Sequence, residues 1–522
     1  MKNKLRGWLV ALFCLCGWWF EQPNVPVQAA APSKVLLAYD ALNATENKGT
    51  NLAAVQRLLT SAKVAVKVQA ISNYQPGELA KGHYQGVVTL INWPTVPIAN
   101  RAFINDRAHF TGTKLHIGSN LDPAEVKAFQ VAKTTLYRRQ MLVKLDQATQ
   151  LLPYQTDLDV LTHLPAGAKA YGSLTIQGED TTYPGAVVAK RQGFIPYYNG
   201  AGISQLIATR VVAALFAQYP GDYQPLLLIQ NVTPYSNLTQ LQALADHLYA
   251  QGIPFAISAT TVAKNFDLLA FRRYAKALRQ VEADDGLIFM RMPAVGDPGA
   301  SGGVLLRNTL TSMVTGLAQQ KVFAVGWAFP TYWNRDAVFR RYALHQATTV
   351  IQLADPSQIT YAKQDDRPGV FDQAYTIVAG DSLQTQKYGT PLAAYPWTFA
   401  LPSAVTFEMP NSTKQRLGLQ QRIADFNFAW QPTTALSGRI DIGMVTTAHQ
   451  GGQYYLNGRV TDTDYRPVDR KHLSTKPGES LINRFFSVQG KLLWGFFAIS
   501  LSIMGLLLLI GRRVYLNMYK RK

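Results

Sequence analysis

Hydrophobic positions in this chain fall into short unbroken runs separated by stretches of helical spacing. KVLLAYD, starting at Lys34, is an apolar run of the buried-strand kind, and NLAAVQRLLTSA after it repeats its apolar residues at helical intervals. VAVKVQAI, YQGVVTLIN and TKLHIGS supply three more strand-like runs before Asp122. Strands alternating with helices predict a doubly wound parallel sheet over residues 32–124. From 125 to 219 the pattern turns β-rich and is broken by Pro and Gly, as in KAYGSLTI and AVVAKRQGFIPYY, which suggests a connecting region. Alternation resumes with PLLLIQNV, IPFAISA, GLIFMRM, VFAVGWAF and TVIQLA, each of the first four followed by a helical pattern. YTIVAGD and AVTFEM add further strands, so residues 220–443 predict a (β/α) barrel or a variant of one.

The two ends carry a different signal. Lys2, Lys4 and Arg6 precede an apolar stretch from Trp8 to Phe20, and Ala29, Ala30 and Ala31 offer a small-residue cleavage site. That order is expected of a secretory signal peptide over residues 1–31. Near the other end LLWGFFAISLSIMGLLLLI, from Leu492 to Ile510, is uncharged and about as long as the ~20 residues a helix needs to cross a bilayer. Arg512, Arg513, Lys520, Arg521 and Lys522 follow. The expectation is one C-terminal transmembrane helix, residues 492–511, with a polar stalk at 444–491 and a basic cytoplasmic tail at 512–522. The protein would then sit in the cell membrane as a single-pass protein with its N-terminal ectodomain outside.

Composition narrows the chemistry. The two cysteines, Cys14 and Cys16, both lie in the expected signal peptide, so the exported part has no disulfide, thiolate nucleophile or cysteine metal site. Cysteine-free exported proteins are common in Gram-positive bacteria. The formal charge of +19 favours anionic neighbours such as teichoic acids, acidic exopolysaccharides or lipid headgroups over nucleic acid. A generally solubilising surface accounts for that charge equally well. The eight histidines are scattered, and none shows metal-ligand spacing.

Specific motifs add a resemblance. The segment LLLIQNVTPYSNLTQLQALADHLYAQGIPFAISATTV, with Val232, Pro234 and Gly252-Ile253-Pro254-Phe255, resembles a family of bacterial proteins related to NodB-type polysaccharide deacetylases. WAFPTYW, Trp327 to Trp333, is similar to a later barrel strand of that family, and the likeness runs over about residues 220–410. A weaker similarity makes residues 32–124 a flavodoxin-like domain, a companion of such barrels in exopolysaccharide proteins. The resemblance implies a metal-dependent deacetylase in which aspartate and histidines hold a cation that activates water. Here Gln230 and Asn231 stand where the family has its carboxylate. Arg291 and Met292 stand on the strand that should precede histidines, and Pro330-Thr331-Tyr332 replaces Pro-His-Tyr. No metal and no cofactor are therefore expected.

What is expected at the barrel mouth is a sugar-binding cleft formed by Gln230, Asn231, Arg291, Trp327, Tyr332 and Trp333. Phe329, on the same strand, is expected to pack the core. Asp297, Asp285 and Asp40 are the catalytic candidates, with Asp284 beside them, although loop acids are usually only solvated. The functional expectation is a catalytically degenerate deacetylase-like protein that binds or helps assemble exopolysaccharide or cell-wall polymer, anionic or acetylated. It leaves room for a membrane glycosyltransferase as partner. The alternatives are an active deacetylase or hydrolase with a rearranged acidic site, and a surface adhesion or sensor module.

Overall fold

The computed structural model describes residues 33–42, 50–217, 221–293, 302–356, 370–384, 391–461, 500 and 504–513. The expected signal peptide lies outside the described residues, as do 462–499 and 514–522. Two compact units divide the chain at Tyr465, and everything that follows, the C-terminal helical residues apart, concerns the first.

Its N-terminal part is built on a seven-stranded mixed sheet. Lys34–Tyr39, Ala65–Ala70, Gly86–Leu90 and Thr113–Ile117 run parallel, with the first strand between the second and third. The fifth parallel strand, Gln192–Ile195, comes from the segment expected to be a connector. Two antiparallel strands, Val187–Ala189 and Lys169–Ala170, extend the same edge. The rest of that segment forms a four-stranded antiparallel sheet and a two-stranded ribbon, and helix Gly202–Phe216 then packs back on the sheet. The run VLLAY at the first strand lacks polar positions because helices cover both faces, which leaves Val35, Leu36 and Leu37 fully buried.

The second part is a closed barrel of seven strands, all parallel: Leu226–Val232, Ala256–Ala259, Leu287–Arg291, Gly326–Pro330, Thr349–Leu353, Gln373–Ala379 and Ser403–Glu408. Alternate residues fill its interior, among them Leu228, Ala256, Phe289, Ala328, Ile351, Tyr375 and Ala404. Gly326 is required by close approach, because a Cβ there would collide with the carbonyl oxygen of Thr349 and the ring of Phe289. Residues 438–461, read in part as stalk, form a four-stranded antiparallel sheet instead. Thr447 ties it to the barrel by donating to the Ala324 carbonyl at 2.7 Å.

The expected assembly is corrected on two counts. The molecule is mixed α/β around a closed seven-strand all-parallel barrel that shares its core with the N-terminal sheet, not a separate flavodoxin-like domain followed by a deacetylase-type barrel. Among the described residues no helix is long and apolar enough to cross a membrane. Of the expected span, residues 492–499 and 501–503 lie outside the described residues.

The two parts of the first unit share a core. Helix Thr50–Ser61 of the N-terminal part packs against the barrel's sixth strand, Gln373–Ala379. This helix thereby covers part of the outer surface of the barrel. Burial of both its faces explains why even Gln56, Arg57, Thr60 and Ser61 are hidden. The barrel meets two of them, Arg57 Nη1 donating to Thr331 Oγ1 at 3.1 Å and Arg335 Nε donating to Gln56 Oε1 at 2.7 Å, while the hydroxyls of Thr60 and Ser61 donate to carbonyls of their own helix.

Candidate functional site at the barrel mouth

Parallel barrels place their chemistry at the carboxyl ends of the strands, where side chains of the last inward positions meet solvent. In this barrel the first, third and seventh strands end in Gln230, Arg291 and Glu408. Their registers with Leu228, Phe289 and Thr406 turn all three toward the axis. Gln230 Nε2 donates to Glu408 Oε1 at 2.8 Å, and Asn231 Nδ2 donates to Glu408 Oε2.

Simple alternation would turn Asn231 away from Gln230. The pairing with the second strand instead slips between Ile229 and Val232, and Asn231 takes φ = 63°. That left-handed conformation is costly for most side chains and tolerated best by asparagine. Its effect is to bring two neighbouring amides to one carboxylate. The turn beyond is held by Ser236, whose Oγ accepts from the Thr233 backbone N–H at 2.9 Å. Asn237 then caps helix Leu238–Ala250 by accepting from the Gln240 N–H.

Beside this cluster lies an open groove of about 470 Å³, lined by Asn231, Thr233, Tyr235, Ser236 and Glu408 on one side and by Asn411, Gln415 and Arg422 on the other. Tyr235 stands almost wholly in solvent at 96% exposure. Arg422 is already engaged, its Nη1 lying 2.5 Å from Asp381 Oδ1. Arg291 is half-buried; burial lowers its pKa and the negative charge of Glu408 opposes that.

The remaining expected residues fall elsewhere. Trp327, Tyr332 and Trp333 do not line a cleft. Trp327 and Trp333 have 0% exposure and Tyr332 has 3%. Trp327 points outward from the barrel strand and donates from Nε1 to the Ala343 carbonyl at 3.0 Å, and Trp333 stacks on Phe339 with ring centroids 4.3 Å apart. They pack the layer between strand and helix, where large apolar surface is best hidden. Phe329, as expected, is buried with them.

Asp40 sits at the end of the first N-terminal strand and accepts from the backbone N–H groups of Ala41, Asn92 and Trp93 at 2.6–2.8 Å. Burial raises its pKa and those three hydrogen bonds pull it back, so the carboxylate clamps two strand ends. Asp284 and Asp285 precede the third barrel strand and lie at the end of the barrel opposite the mouth. Asp284 is buried and accepts from Gln280 Nε2 at 3.0 Å. Asp297 lies outside the described residues.

The described residues of this mouth do not suit a divalent cation. Among the described residues its donors are one carboxylate, two amides already bound to that carboxylate, and a guanidinium. No group of three or more His, Cys, Asp or Glu is arranged as a metal site among the described residues. Glu408 is the residue that sequence reasoning missed. A signal existed, since AVTFEM ends in an acid at the carboxyl end of the last strand, but glutamate there is equally common on a solvated turn. Compared with known proteins, the chain matches no family model and no curated protein.

Proposed function

We propose that this is a non-catalytic saccharide-binding protein acting on exopolysaccharide or cell-wall polymer outside the cell, with its ligand held at the barrel mouth. The observation that carries this reading is the pair of amides, Gln230 and Asn231, fixed on Glu408 beside an open groove with an exposed tyrosine at its rim. Amides can both donate to and accept from vicinal hydroxyls, a carboxylate can accept from them, and the flat face of Tyr235 suits the C–H face of a sugar ring. The resemblance of the first barrel strand and its helix to deacetylase-related proteins is what directs the ligand class toward polysaccharide. The replacement of a base by two amides supports binding without turnover.

A hydrolytic reading draws on Glu408 itself. Glycoside hydrolysis uses two carboxyl groups roughly 5–9.5 Å apart. Among the described lining residues of the groove Glu408 is the one carboxylate, and both of its oxygens already accept amide hydrogens. Binding is therefore favoured over cleavage.

The test is calorimetric titration of the folded unit with oligosaccharides alongside Glu408→Ala. Hydrogen bonds to a charged group are worth about 1.5–3 kcal/mol, so the variant should bind about 10- to 150-fold more weakly while still unfolding in a cooperative transition. Wild-type protein should release neither acetate nor new reducing ends. Equal affinity in the variant, or release of acetate that depends on Glu408, would overturn the reading.

A further inference from the structure

Resting on that reading, we propose that the barrel mouth selects acidic saccharides, with Arg291 as the residue that receives the carboxylate of a uronic acid. Four observations converge on this side chain. It occupies the last inward position of the third strand, in register with Ala328 of the fourth, so its guanidinium heads toward the axis of the mouth rather than the outer helices. It is half-buried, which a guanidinium tolerates only with compensation. It makes no hydrogen bond and no ion pair with any described residue, unlike Arg57, Arg335, Arg416 and Arg422.

The fourth observation concerns the one charge that influences it. Glu408 is the carboxylate whose field reaches Arg291, but Glu408 is taken up by Gln230 and Asn231. No described residue therefore takes up the five N–H donors of Arg291. A planar carboxylate meets that fork with two parallel hydrogen bonds, which a neutral hydroxymethyl group cannot do. The amides and Tyr235 engage ring hydroxyls and a ring face, whereas Arg291 reads the substituent at the far carbon of the sugar. The two halves of the mouth thus supply affinity and selection separately. The chain as a whole is strongly basic, at +19, which favours an anionic polymer over a neutral one.

The experiment compares a uronic-acid oligomer with the neutral oligomer obtained by reducing its carboxyl groups, titrated into the wild-type chain, Arg291→Gln, Arg291→Lys and Glu408→Ala. Near-ultraviolet circular dichroism of each variant checks that it folds. Wild type should bind the acidic oligomer at least tenfold more tightly than the neutral one. Arg291→Gln should lower acidic affinity at least tenfold more than neutral affinity. Arg291→Lys should fall between them, because a charge without the fork recovers only part of the contact. If both oligomers bind equally and lose affinity in Glu408→Ala, the selection by Arg291 is wrong while the binding site stands. If neither oligomer binds, both proposals fall together.

Discussion

Trp327→Ala will destabilise the barrel by about 3–5 kcal/mol, the range for deleting a large aromatic side chain from a packed interior. Trp327 is fully buried and outward-facing on the fourth strand, and its indole N–H satisfies the Ala343 carbonyl. Alanine would leave a cavity and remove one of the two hydrogen bonds that the Ala343 carbonyl accepts, the other coming from the Gln346 N–H at 3.0 Å. Trp327→Phe restores volume without the donor and should lose less. Chemical denaturation read by fluorescence of the remaining tryptophans gives both values. Saccharide affinity measured well below the midpoint should not change in either variant, because this ring touches no part of the groove. Lost affinity with unchanged stability would return Trp327 to the sugar platform suggested by the sequence.

The second large effect comes from removing the N-terminal part. A chain beginning at residue 221 and ending at 465 is expected not to fold. It would lack helix Thr50–Ser61, which packs on the outer face of the sixth barrel strand. That face presents Ala374 and Val378, both at 1% exposure in the intact unit, together with the buried Thr376. Exposing such a strip, at ~25 cal/mol per Å² of apolar surface, removes stabilisation comparable with a domain's whole margin of about 5–15 kcal/mol. Loss of Arg57 and Gln56 would also strip partners from Thr331 and Arg335. The expected result is insoluble or molten protein on expression, against a cooperative transition for residues 33–465. A barrel that unfolds cooperatively alone would show that the interface is a docking contact and not a shared core.

These two cases show what the sequence could and could not tell. The apolar runs from PLLLIQNV to AVTFEM are legible as strands, because a buried parallel strand is apolar on both faces and needs no partner to be recognised. Closure at seven strands was not legible, since closure depends on register and tilt rather than on composition. Gln192–Ile195 joins the first sheet from far along the chain, and no local pattern announces a pairing across that distance. The same holds for helix Thr50–Ser61, whose apolar positions mark it as amphipathic without saying that a barrel strand covers its other side. At the candidate site Gln230, Asn231 and Arg291 were found by asking what stands at strand ends. The aromatics of WAFPTYW misled, because clustered rings look alike whether they face a ligand or a core. Glu408 and the slip that brings Asn231 alongside Gln230 needed coordinates, as both depend on φ and on a neighbour 177 positions away.

The most direct test of the central claim is hydrogen–deuterium exchange of the intact chain with and without a saturating uronic-acid oligomer. The account predicts that slowed exchange will be confined to the mouth: the turn from Asn231 to Ser236, the end of the third strand at Arg291, and the segment from Glu408 to Gln415. Slowed exchange instead around Trp93 and Asp40, on the four-stranded sheet 438–461, or nowhere in the chain, would contradict it.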